Sequence, residues 1–166
     1  MQVNSFKRDG YELTDRRDAF DTIQAHRLLS ASYWSPGIPP ATVTKAAANA
    51  WTFSLLAPDG RFIGMARFIT DRATFAYLAD VIIDPAHRGR GLGKWLVTSL
   101  HTLPEITACR RLMLMTLDAQ PLYAKIGYTA LKSPERAMEI SRPDMYQQAI
   151  PASNAEPVMD QTMRAE

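Results

Sequence analysis

The 166-residue chain has one cysteine, Cys109, and only three histidines. A single cysteine excludes an internal disulfide, and nothing beside it in sequence marks it for activation, so Cys109 reads as a small buried apolar residue. His26, His87 and His101 are not at ligand spacing from one another, so no metal site is expected and each is assigned a structural or solvated role. No apolar run approaches the length of a bilayer span, and Met1 to Phe6 offers no signal-peptide core. Charge of one sign is also missing: 19 Lys and Arg face 17 Asp and Glu. With the cations spread along the chain, a nucleic-acid stripe and a membrane-binding polybasic run are excluded. These absences leave a cytoplasmic protein, monomer or homodimer, with neither nucleic acid nor membrane as partner.

What is present is enough for one substantial core. At 46% hydrophobic content the chain builds a single domain and is too short for two ordinary enzyme domains. Cations cluster in one place only, His87-Arg88-Gly89-Arg90-Gly91-Leu92-Gly93-Lys94, where three glycines alternate among three fixed positive charges. The apolar run Val81-Ile82-Ile83 precedes it and a helical pattern follows, so the stretch reads as strand, glycine turn and helix start. Glycines let backbone N–H groups approach a ligand, and a helix N-terminus favours negative charge. A phosphorylated cofactor is the expected ligand.

Spacing separates the phosphate motifs. A Walker loop needs a glycine five residues before Gly93 and a hydroxyl after Lys94, but those positions hold Arg88 and Trp95. A dinucleotide fingerprint needs Gly-x-Gly-x-x-Gly, whereas Gly89, Gly91 and Gly93 run Gly-x-Gly-x-Gly. The pattern Arg/Gln-x-x-Gly-x-Gly/Ala, filled by Arg88, Gly91 and Gly93, resembles the acetyl-CoA pyrophosphate loop of the GNAT N-acetyltransferase superfamily. Upstream, Tyr77 to Pro85 is similar to that family's fourth strand. Downstream, Arg111 to Leu117 resembles its fifth, and Leu122 to Tyr128 its closing helix-to-strand motif.

Along the chain, Phe6 to Thr14 suggests a first strand, and Asp15 or Asp18 caps a helix running to about Ser30. After a loop from Ala31 to Pro40, Thr42 or Thr44 opens an alanine-rich helix to about Ala50. Trp51 to Leu55 alternates as a strand, Pro58-Asp59-Gly60 turns the chain, and strands follow at Arg61 to Thr70 and Thr74 to Ile83. Leu92, Trp95, Leu96, Leu100 and Leu103 recur at helical intervals until Pro104 ends the helix. Arg136 to Ile140 is expected as a last strand. Residues 1–142 form the domain, and Pro143, Pro151 and Pro157 break residues 143–166 into an irregular tail.

The resemblance implies an α/β (α+β) GNAT fold: a mixed, mostly antiparallel sheet of six to seven strands, flanked by about four helices and splayed between the fourth and fifth strands. It further implies direct transfer of acetyl from acetyl-CoA to a primary amine, without a metal or a covalent enzyme intermediate. The main chain of Val81, Ile82 and Ile83 is expected to pair with the pantetheine amides. The loop Arg88, Gly89, Arg90, Gly91, Leu92, Gly93 and Lys94 is expected to hold the pyrophosphate.

Tyr123 matches the family's tyrosine facing the thioester sulfur. Asp80 matches an acidic position on the fourth strand and serves as general base or as an orienting group; strand alternation puts it on the face of Leu78 and Ile82. Help with the proton is needed, because an amine of pKa ~10.4 is only about 0.1% neutral near pH 7.4. Tyr33 and Trp34, on the loop between the first two helices, and Tyr77 are candidates for the acceptor pocket. A small-molecule amine or free amino acid is the first acceptor class, and a protein lysine or N-terminus the second. A non-catalytic acyl-CoA-binding module is the alternative from another class.

Overall fold

The computed structural model describes residues 3–147. Its centre is a six-stranded sheet in the order β1-β2-β3-β4-β5-β6. The strands are β1 (Ser5–Arg8), β2 (Tyr11–Thr14), β3 (Trp51–Leu56), β4 (Phe62–Thr70), β5 (Phe75–Ile83) and β6 (Arg111–Met113). Neighbours from β1 to β5 are antiparallel, and β6 joins β5 in parallel. The helices are α1 (Thr22–Ser30), α2 (Pro40–Ala48), α3 (Leu92–Leu100), α4 (Pro104–Thr107) and α5 (Gln120–Ala124), the last two being little more than a single turn.

The two faces of the sheet carry separate apolar layers. On one, Leu92, Leu96, Val97 and Leu100 of α3 and Ile106 of α4 pack on Phe53, Phe68 and Leu78. On the other, Ala25, Leu28 and Leu29 of α1 and Val43 of α2 meet Met65 and Ile82. In α3 the buried positions recur every three to four residues, the spacing that puts a stripe on the sheet.

Several expectations are corrected. The stretch read as one strand, Phe6 to Thr14, is the β1–β2 hairpin: Asp9 and Gly10 have φ of 51° and 81°, the left-handed pair that two-residue hairpin turns demand. Asp21 caps α1 by accepting from Gln24 N at 3.0 Å. Asp15 is instead taken by Asn4, whose N and Nδ2 both donate at 2.8 Å, and by the Trp51 indole at 2.9 Å. α2 opens at Pro40, where the ring presets φ and no N–H is lost. Pro104 starts α4 for the same reason, after α3 has already ended at Leu100. No strand forms at Arg136 to Ile140; Pro134–Arg136 is a 3-10 turn, and Met138 and Ile140 lie 97% and 88% exposed with no face to cover.

The sixth strand is shorter than Arg111 to Leu117 suggests, and that shortness opens the site. β5 and β6 pair only at Phe75↔Arg111, Ala76↔Leu112 and Tyr77↔Met113. Beyond Tyr77 the two strands part, and Leu78 to Ile83 have no strand partner on that edge. This is the splay expected between the fourth and fifth strands, numbered one higher because the first strand is a hairpin. Of the expected tail, Tyr146 packs against the α1–α2 layer, and residues 148–166 lie outside the described residues.

Candidate active site

β5 carries a bulge at its centre. Met65 pairs with Ile82 and Arg67 with Ala79, so Asp80 and Val81 together oppose Ala66. Asp80 absorbs the extra residue with φ of 52°, a left-handed value that short polar side chains tolerate. The bulge shifts the strand's alternation by one, so Leu78 faces the α3 layer and Ile82 the α1 layer. The expectation that Asp80 shares a face with both is therefore corrected. A bulge interrupts the ladder, and this one lies in the β4–β5 pairing just beyond the point where β5 and β6 part.

Asp80 is half-buried and held by two partners. Its Oδ2 accepts from Arg67 Nε and its Oδ1 from the Trp34 indole N–H at 3.3 Å. Tyr33 stacks edge-on against Trp34, with centroids 4.9 Å apart, and its hydroxyl accepts from Leu117 N at 3.0 Å. The loop between α1 and α2 thus bridges the splay, with Trp34 tied to β5 and Tyr33 to the chain after β6. Tyr77, half-buried at the point where the strands part, has its hydroxyl pushed up, chiefly by burial.

A groove of about 830 Å³ runs along this opening. Val81 to Ile83 lie along it, Tyr33, Trp34 and the end of α1 form one wall, and Asp118, Ala119, Leu122 and Tyr123 the other. Arg88, Gly89, Gly91, Leu92 and Gly93 line its far end. Tyr123 is 8% exposed; burial, reinforced by Tyr33 and Asp118, pushes its phenol up to about 12. It therefore keeps its proton at any physiological pH and presents an O–H donor.

The glycine loop is held open from behind. Asp84 caps the 3-10 turn Pro85–His87 through Ala86 N at 2.9 Å and is ion-paired with Arg27 of α1. Gly89 and Gly91 have φ of 76° and 69°, and Gly91 caps α3 with no side-chain hydrogen bond, so the first N–H groups of the helix keep their capacity for an anion. Arg8 of β1 donates to the carbonyls of Arg90 at 2.9 Å and Gly91 at 3.3 Å. In a trans peptide C=O and N–H point oppositely, so Arg8 turns the N–H groups of Gly91 and Leu92 away from itself.

Arg88, Gly89, Gly91, Leu92 and Gly93 share the groove with Val81, Ile82, Ile83, Tyr33, Trp34 and Tyr123. Asp80 touches this set through Trp34. Arg90 turns the other way and donates to the Tyr11 hydroxyl at 3.0 Å, and Lys94 is exposed on α3. Sequence reading missed Arg8, Arg27 and Arg67, each of which acts on a partner far along the chain. Among the described residues no cluster of three His, Cys, Asp or Glu side chains converges, and no helix there is long and apolar enough to cross a membrane.

The splayed mixed sheet with a glycine-led helix start at one end of the opening is an architecture shared with solved GNAT-family structures. Residues 20–128 match the Acetyltransferase (GNAT) family, and the chain belongs to it. A crystal structure of a GNAT-family protein from Xanthomonas campestris pv. campestris superposes with a TM-score of 0.79 at 38% identity, covering 82% of this chain and 96% of that one. An acetyltransferase-family protein of Gibberella zeae is 44% identical over 64 residues, 38% of this chain and 36% of the relative. The glucosamine 6-phosphate N-acetyltransferase of Trypanosoma brucei brucei is 31% identical over 80 residues, 44% and 54% respectively. The chain thus spans roughly a third to a half of the length of these two curated relatives.

Proposed function

We propose that the protein moves acetyl from acetyl-CoA directly to the primary amine of a small molecule. The observation that carries this reading is the continuous groove that joins the glycine loop to Tyr123 along the unpaired edge of β5. The pyrophosphate rests on the N–H groups from Gly89 to Leu92, with Arg88 beside them, and the pantetheine arm runs along the main chain of Val81 to Ile83. The small-molecule choice draws support from the Trypanosoma relative, whose name specifies an amino sugar phosphate.

In the transfer, the amine nitrogen bonds to the acetyl carbonyl carbon, the C–S bond breaks, CoA departs as thiolate and the nitrogen sheds a proton, after the bound ammonium has first given one up to free its lone pair. Asp80, fixed by Arg67 and Trp34, orients the amine and helps remove that proton. Tyr123 donates a hydrogen bond to the departing sulfur. Full transfer of its proton, from a phenol near 12 to a thiolate near 8.5, is uphill by roughly 5 kcal/mol, so stabilisation by the hydrogen bond is the favoured role. Incubation with acetyl-CoA and a panel of small amines, read by release of free CoA thiol, tests the reading. Binding of acetyl-CoA by calorimetry with no thiol release for any amine would leave only a binding module.

A further inference from the structure

The Arg67–Asp80 pair holds more hydrogen-bonding capacity than the fold uses. Arg67 stands on β4 opposite Ala79, and the two side chains are 17% and 14% exposed. A guanidinium presents five N–H donors in one plane. Among the described residues only Nε donates, to Asp80, and no second carboxylate pairs with Arg67. Neither Nη nitrogen is among the buried polar atoms left without a partner, so both remain open to solvent and to a ligand. The Nη1 and Nη2 edge, the half of the group suited to bidentate binding of an oxyacid, is unmet by the protein.

The neighbourhood is rigid and paired in charge. Asp80 sits at the left-handed bulge position, and the Trp34 indole fixes its other oxygen. Each Asp80 oxygen accepts one hydrogen bond in the fold, and a carboxylate has about four acceptor positions, so capacity for an ammonium remains. The site thus offers a negative and a positive group side by side, the complement of a molecule that carries both charges itself. A polycation would bring a second ammonium against Arg67.

Resting on the N-acetyl transfer proposed above, we infer that the acceptor is an amine that also bears an anionic oxyacid group, a carboxylate or a phosphate, held by the Nη1/Nη2 edge of Arg67 while Asp80 receives the ammonium. Arg67 is then the residue that selects the acceptor. Losing a charge-assisted bidentate contact should weaken acceptor binding by ~10- to 100-fold.

The test measures kcat/KM by thiol release for matched pairs: free L-amino acids against the amines that lack their carboxylate, and glucosamine 6-phosphate against glucosamine. The anionic member of at least one series should be preferred by tenfold or more. The preferred series tells carboxylate from phosphate. Arg67→Lys, which keeps the charge but loses the fork, should erase the preference, bringing the ratio of kcat/KM for the anionic and neutral members to about one. Equal use of both members, or a preference that survives in Arg67→Lys, overturns the inference and leaves acetyl transfer standing. If no amine releases thiol, calorimetry of the CoA-saturated protein with the same anionic amines decides separately. Binding that Arg67→Lys abolishes upholds the subsite, and absence of binding overturns it.

Discussion

Arg8 and Arg90 lie 82 positions apart, and the Arg8 guanidinium donates to the Arg90 carbonyl at 2.9 Å. Its planar group lies 5.1 Å from the Trp95 ring centre, so the first strand braces the start of α3 as well as the glycine loop. Arg8→Gln should weaken acetyl-CoA binding by about tenfold, as expected for one or two charge-assisted bonds at a partly exposed site. Titration calorimetry with an unfolding curve checks this; unchanged affinity in a folded variant would show that the loop holds its shape without Arg8.

The three loop glycines are not equivalent. Gly91 sits at φ of 69°, where a side chain costs about 1–2 kcal/mol, and Gly91→Asp adds a carboxylate where phosphate is to bind. Acetyl-CoA binding should be lost. At Gly93 a Cβ meets only Ile83 Cδ1 at 3.7 Å, an ordinary contact, so Gly93→Ala should fold and bind within a few-fold of the parent protein. Calorimetry on the pair separates the two positions.

Asp80→Asn keeps a residue tolerant of the left-handed bulge and an oxygen for Trp34, but leaves Arg67 without its counter-charge. Turnover with the best amine should drop by ~10²–10⁴ with acetyl-CoA affinity nearly intact. Steady-state kinetics at parental rates would reduce Asp80 to a structural role.

Tyr123→Phe removes one hydroxyl, for which no hydrogen-bond partner occurs among the described residues, and retains the ring that meets Tyr128 edge-on at 5.9 Å. Stability should hold, while kcat falls by about 10²–10⁴. Because burial keeps the phenol protonated to about 12, Tyr123 should contribute no limb to the pH–rate profile below pH 10. Pre-steady-state kinetics that isolate the chemical step supply the measurement.

His101 is enclosed, with Nδ1 2.6 Å from the Val97 carbonyl and Nε2 3.0 Å from the Tyr128 hydroxyl. Burial lowers its pKa from 6.5 in the folded state. As pH falls through 6.5 the unfolded chain takes up a proton that the folded chain does not, so stability declines from there until the folded pKa is reached. Thermal unfolding between pH 7.5 and 5 should therefore show a loss in the parent protein that is smaller in His101→Gln. Parallel curves for the two proteins would contradict the linkage.

Some of this was legible locally. Gly89, Gly91 and Gly93 after an apolar strand mark a candidate anion site because spacing and backbone freedom are properties of adjacent residues. The Asp9-Gly10 turn was legible too, as a strong hairpin signal, yet the apolar residues on either side read as one strand. The failures at Arg111 to Leu117 and Arg136 to Ile140 have another cause. Those segments have strand-like composition, but a strand persists only where a partner supplies hydrogen bonds, and β5 supplies three pairs to the first and none to the second.

The sequence by itself determined the family and marked the glycine loop and Tyr123 as candidates, because each rests on motifs of a few consecutive residues. Only the tertiary structure decided what surrounds them. The bulge at Asp80 depends on register against β4. The hold of Arg8 on the loop, of Trp34 on Asp80 and of Arg67 beside both depends on side chains brought together from 13 to 83 positions apart. Such contacts leave no local pattern, since it is the closing of the sheet and the burial of its two faces, rather than the order of neighbours along the chain, that brings them within a hydrogen bond of each other.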